Sequence, residues 1–134
     1  MRIMLDTNIL ISALVFGGKA RRLVEKLLVS EHEVWVSKYV ADEFSDKLYE
    51  KWPDRADSLI SILKRLPIHF CDSTEIQRGN LRDAKDIPVL SDALYYQADV
   101  ILTGDKDFLE AELDKPIIFS LKMLEEFFEG STSE

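Results

Sequence analysis

Short apolar runs recur along this chain, each closed by polar residues and each followed by a segment with helical periodicity. The first, Ile3-Met4-Leu5, ends on Asp6 and passes within two residues into a helix pattern. Val34-Trp35-Val36, Ile68 to Cys71, Val100-Ile101-Leu102 and Ile117-Ile118-Phe119 repeat the plan. Runs so short, apolar throughout and rich in β-branched residues suit strands buried on both faces. No hairpin turn signal joins any two of them, so helices must carry the chain from strand to strand. The sequence therefore predicts an α/β fold, a three-layer α/β/α sandwich with a central parallel sheet of about five strands.

The intervening segments support helices. Ile9, Leu10, Ala13 and Leu14 form an inner side from Asn8 to about Phe16, where Gly17-Gly18 breaks the pattern. Leu23, Val24, Leu27 and Leu28 make the stripe of a helix over 19–29. Ser37 is a good N-cap for a helix over 38–51, with Val40, Ala41, Phe44 and Leu48 facing inward. Pro53 opens a helix over 54–66, and Pro88 is tolerated in the first turn of one over 87–97. A short helical turn is expected near Phe108 and a last helix over 121–129. Residues 72–85 read as a polar loop with one helical turn at most. One domain over 1–130 and a frayed tail over 131–134 are expected.

Composition sets limits on function. With 134 residues and a net charge of −8, a nucleic-acid binder working through a broadly basic surface is excluded. Acids gathered into a metal site are not. The lone Cys71 excludes an internal disulfide, and with two histidines a Cys/His zinc site is not expected. No apolar stretch approaches the roughly 18 residues of a membrane span, and the N-terminus lacks a signal-peptide plan, so a cytoplasmic protein is expected.

Acids fall at one edge of the predicted sheet. Asp6 ends the first strand and Asp105 stands two residues past the fourth, so both reach the C-terminal edge, where open α/β sheets do chemistry. Asp86 opens the helix before the fourth strand, and Glu43 flanks the apolar stripe of the helix after the second. Each has an ordinary explanation: Asp6, Asp86 and Asp105 as helix caps, Glu43 as a solvated helix acid. Together they are harder to dismiss, because two bare carboxylates about 4 Å apart repel by about 4 kcal/mol at an effective dielectric of 20. A cation offsets that cost, and an oxygen-only ligand set selects Mg²⁺ or Mn²⁺.

With these residues assembled, nearly the whole chain resembles the PIN domain family, the ribonuclease fold of VapC-type toxins. The motifs are Asp6-Thr7-Asn8, the Ser37 to Phe44 stretch with Glu43, Asp86-Ile87-Pro88-Val89, and Thr103-Gly104-Asp105-Lys106-Asp107-Phe108. The resemblance implies that Asp6, Glu43, Asp86 and Asp105 hold one or two divalent metals, and that Asn8 and Thr103 orient carboxylates or water. Asp83, close to Asp86, is a further candidate for the third acid, and Asp107 could replace or assist Asp105. The reaction implied is hydrolysis of phosphodiesters in single-stranded RNA by the toxin of a toxin–antitoxin pair. A small antitoxin and a second copy of the chain are the implied partners.

Phosphate contacts are expected from Arg21 and Arg22 after the glycine break, or from Arg82 and Lys85 before Asp86. Two other readings compete. A PIN-like scaffold would act through protein contacts without cutting. A phospho-acceptor receiver domain would share the size, acidity and parallel sheet, but wants paired acids after the first strand and Lys-Pro after the fifth. Here Asp6 stands alone and Lys115-Pro116 precedes the strand.

Overall fold

The computed structural model describes residues 1–73, 86–110 and 116–132, with the backbone alone for Asp86, Ile87, Ser131 and Thr132. The elements run β1 (Arg2–Leu5), α1 (Thr7–Ile11) continued by a π-turn (Ser12–Phe16), α2 (Gly18–Leu28), β2 (Glu33–Ser37), α3 (Lys38–Lys51) and α4 (Pro53–Arg65). They continue as β3 (His69–Cys71), α5 (Asp86–Tyr95), β4 (Val100–Leu102), α6 (Lys106–Leu109), β5 (Ile117–Phe119) and α7 (Leu121–Thr132). The five strands are all parallel, in the order β3-β2-β1-β4-β5. The α/β expectation is borne out.

That order follows from connection handedness. The steps from β1 to β2 to β3 move one way, and right-handed crossovers put α1 to α4 on one face. The step from β3 back to β4 reverses direction and sends α5 to the opposite face. Side chains agree with this division. Register aligns Ile3 with Val34 and Val100 on the first face, and Met4 with Trp35 and Ile101 on the second. Phe119 meets Phe127 of α7 on the first face, while Trp35 meets Tyr96 at the end of α5 on the second. Lys19 of α2 pairs with Glu125 of α7 at 3.0 Å, fastening these neighbouring helices.

The core contains the predicted stripes. Val40, Phe44 and Leu48 of α3 are fully buried, as are Ile3, Met4 and Leu5 of β1. Burying a side chain such as Phe44 or Leu48 contributes about 1.5–3 kcal/mol, so the α3 face alone outweighs its caps.

One element departs from expectation. The helix read over residues 8–16 stays α-helical only to Ile11, then widens into the π-turn, closed by the Gly17 N–H on Ser12 C=O at 2.9 Å. Arg21 donates to the carbonyls of Ala13 (2.9 Å) and Leu14 (3.1 Å), and Arg55 donates to that of Val15 (3.4 Å). Guanidinium groups from α2 and α4 thus take carbonyls that a widened turn would leave open. Gly17, at φ 80°, supplies the left-handed backbone that turns the chain into α2.

Helix α5 ends at a non-glycine left-handed residue, Gln97, with φ 56°. Ala98 N–H reaches back to Ala93 C=O at 2.8 Å, the bond expected where such a residue terminates a helix. Helix α7 runs through Thr132, three residues beyond the expected end.

Candidate active site

Strands β1 and β4 are neighbours, yet their connections leave on opposite faces, which makes the gap between their C-terminal ends a topological switch point. Asp6 and Thr103 stand on either side of it. The Asp6 N–H bonds Leu102 C=O at 3.0 Å, so pairing of β1 with β4 continues up to the acid itself.

The polar atoms around Asp6 are closely engaged, although the buried Thr7 hydroxyl has no hydrogen-bond partner among the described residues. Asp6 Oδ1 accepts the Thr7 N–H at 2.8 Å, which caps α1. Its Oδ2 accepts the Thr103 hydroxyl at 2.7 Å and the Asn8 amide at 3.2 Å. Thr103 Oγ1 in turn accepts the Asp105 N–H at 3.0 Å, and Asn8 Oδ1 accepts the Gly104 N–H at 2.9 Å. Asp105 Oδ1 accepts the Asp107 N–H at 2.9 Å, capping α6. Cap and site are therefore the same carboxylates at Asp6 and Asp105. The bond each one gives to a helix N-terminus holds its remaining lone pairs in a fixed direction.

Asp6 is only 5% exposed. Burial raises its carboxyl above the ordinary value, and the bonds from the Thr103 hydroxyl and Thr7 N–H pull it back. The charges of Glu43 and Asp105 add to the rise, so both acids stand near enough to repel it. Glu43 reaches this corner from α3, half-buried beside fully buried Phe44, while Asp42 and Asp46 remain exposed. Ser37 Oγ accepts the Val40 N–H at 3.3 Å and starts that helix. The charges of Glu43 and Asp105 therefore both act on Asp6.

Asp86 opens α5, as expected, with its side chain outside the described residues; Asp83, Arg82 and Lys85 also lie outside them. Asp107 occupies the first turn of α6, half-exposed. Arg21 is engaged with the π-turn carbonyls, and Arg22 is exposed on α2. Among the described residues, no three acids, histidines or cysteines stand close enough to enclose an ion. The donor chemistry at the switch point still fits a hard divalent cation, being carboxylate oxygen throughout with a mutual repulsion that a cation would relieve.

The sequence reading missed several residues here. Ser91 and Asp92, mid-way along α5, are fully buried. Two polar residues within an otherwise apolar helical stretch were the available signal. Asp92 and Asp72 stand near Cys71, whose thiol is pushed up to about 11, chiefly by burial. The thiol is therefore neutral and unreactive at physiological pH. Ser73, two residues past the expected third strand, caps α3 from a distance: its Oγ accepts the Tyr39 N–H at 2.9 Å.

Away from the acids, the π-turn, α2 and α4 enclose an open groove of about 380 Å³, walled by Leu14, Val24, Leu28, Leu59 and Ile62 and flanked by Arg55. No described helix is long and apolar enough to cross a membrane.

The five parallel strands and the acid-bearing corner at the β1/β4 switch point define an α/β domain. The PIN domain model matches residues 2–107. The chain belongs to the PIN domain family. Solved structures share its fold at low identity. VapBC2 of Rickettsia felis, bound to a DNA fragment from its promoter, is 18% identical with a TM-score of 0.69, over 90% of this chain and 98% of that one. VapBC-1 of nontypeable Haemophilus influenzae is 17% identical at 0.64, over 91% and 99%. VapC20 of Mycobacterium tuberculosis, a toxin that cleaves the sarcin-ricin loop, is 15% identical at 0.62, over 80% and 92%. No curated protein sequence matches the chain.

Proposed function

We propose that this PIN domain is a divalent-metal-dependent endoribonuclease that cuts single-stranded RNA. The observation that carries the reading is the buried Asp6 carboxylate, held by three hydrogen bonds at the β1/β4 switch point, where the charges of Glu43 and Asp105 also act on it. With Asp86 as the fourth acid, these carboxylates would hold Mg²⁺ or Mn²⁺. When bound, such a cation activates water as a nucleophile and offsets charge on the phosphate oxygens. Asn8 and Thr103 aim the Asp6 carboxyl, the Thr103 bond favours its anion, and the Asp107 N–H fixes the rotamer of Asp105.

The VapBC and VapC20 neighbours support a toxin role with a small antitoxin partner in the cytoplasm. The apolar groove beside α4 offers such a partner a surface. Self-association into a dimer accords with the same kinship. The receiver-domain alternative does not survive, because receivers order their strands 2-1-3-4-5 and this sheet runs 3-2-1-4-5.

The test is cleavage of a labelled single-stranded RNA pool with Mg²⁺, with Mn²⁺ and with EDTA, alongside Asp6→Asn and Asp86→Asn. Metal-dependent cutting lost in both variants supports the assignment. Cutting that survives both variants, or that proceeds in EDTA, refutes it. Absence of cutting together with absence of calorimetric metal binding favours the non-catalytic scaffold.

A further inference from the structure

Two of the acid-bearing helices, α3 with Glu43 and α5 opened by Asp86, pack on each other. Both are tied to the same two residues at the end of β3. On one side, Ser73 Oγ accepts the Tyr39 N–H in the first turn of α3 at 2.9 Å, and Glu43 stands one turn beyond Tyr39 on the same face. On the other, Tyr96 closes the end of α5 with its N–H on Asp92 C=O at 3.0 Å and sends its hydroxyl to Asp72 C=O at 2.9 Å. Tyr96 is itself anchored: its carbonyl accepts Arg2 Nη1 at 2.9 Å, and its ring lies 5.7 Å from that of Trp35.

We propose that the Asp72–Ser73 junction, gripped by the Tyr96 hydroxyl and capping α3 through Ser73, is a positioning device that sets the spacing of the Glu43 and Asp86 helices for metal binding. The inference rests on the nuclease reading of the acids. Both bonds are exposed to water, where solvent competes for the same groups, so each adds little to folding. Packing of α5 comes instead from buried Val89, Leu90 and Ala93. What the two bonds supply is direction. They fix how far each helix slides and turns against the sheet edge. Ser73 and Tyr96 act through Glu43 and Asp86 and are positioning residues, not catalytic ones.

The experiment compares the full chain with Ser73→Ala, Tyr96→Phe, their double variant and Ser73→Thr. Mn²⁺ binding is followed by calorimetry, and the unfolding midpoint is measured in EDTA. Outer groups that orient ligands typically change metal affinity about 10–100-fold, and these stand one step further out, so each single variant should bind Mn²⁺ about 3–10-fold more weakly. Metal-free midpoints should stay within about 2 °C, because little folding energy is removed. Ser73→Thr should restore affinity. The double variant should lose no more than the weaker-binding single, since both act through one junction. Unchanged Mn²⁺ affinity in both single variants overturns the inference, whether or not the midpoint falls. A double variant that loses the product of the two effects overturns the single-junction account. If the unmodified chain binds no Mn²⁺, the metal reading fails and the inference with it.

Discussion

Replacing Thr103 with valine keeps the shape of a fully buried side chain and removes one hydroxyl. Three bonds go with it: the 2.7 Å bond donated to Asp6 Oδ2, the 3.0 Å bond accepted from the Asp105 N–H and a long one of 3.5 Å accepted from the Asn8 amide. A bond to a buried charge contributes about 1.5–3 kcal/mol, and the half-buried Asp105 N–H loses about 1 kcal/mol more. No cavity forms, so the expected loss of stability near neutral pH is about 2–4 kcal/mol. The pH dependence is the sharper test. Burial already holds the Asp6 carboxyl above its ordinary value, and valine raises it further by removing the main bond that favours the anion. The extra cost is present in full above both folded values and is lost as pH falls through them. Urea unfolding in EDTA at about pH 7.5 and about pH 4 should show the Thr103→Val penalty shrinking to about half at the lower pH. Thr103→Ser should recover most of it. A penalty equal at the two pH values, or below about 0.5 kcal/mol at the higher one, would refute the assignment of Thr103 as the anchor of an ionised Asp6.

Four further outcomes are expected. Asp6→Asn should raise the unfolding midpoint in EDTA at neutral pH, because a buried charge repelled by Glu43 and Asp105 is gone. Mn²⁺ at about 100 times its Kd should stabilise the unmodified chain by about 2.7 kcal/mol and the Asp6→Asn chain hardly at all; equal shifts would remove Asp6 from the ligand set. Ser37→Ala, which strips the N-cap of the Glu43 helix, should cost about 1 kcal/mol in denaturant unfolding. Gln97→Gly should gain about 0.5–1 kcal/mol, since glycine adopts φ 56° without strain; a loss on thermal melting would contradict the helix termination described for α5.

The strands and the acids that end them were legible because both depend on local pattern. An apolar run closed by an aspartate signals itself within six residues, which is why Asp6 could be placed at the end of β1 from the sequence. Strand order was out of reach, since it depends on which face each crossover takes. The Asn8–Gly104 bond was equally hidden: it joins residues 96 apart, and only the pairing of β1 with β4 brings them together. The π-turn failed for a similar reason. Residues 8–16 carry good helical periodicity, but Arg55, 40 residues further on, takes the Val15 carbonyl and helps sustain the wider turn. At Gln97 the usual signal was absent, because a glutamine fills a position that glycine ordinarily marks.

Sheet order also shapes what happens as the chain leaves the ribosome. Strands β1, β2 and β3 are made first and pair on one side of β1, while its other edge waits for β4. Thr103, which anchors Asp6, lies 97 residues after it. Until that stretch emerges, the nascent chain has an exposed strand edge and a first carboxylate without its anchor. A product truncated before β4 would be prone to aggregate and would lack the switch-point corner altogether. That corner is completed late in synthesis, and all at once.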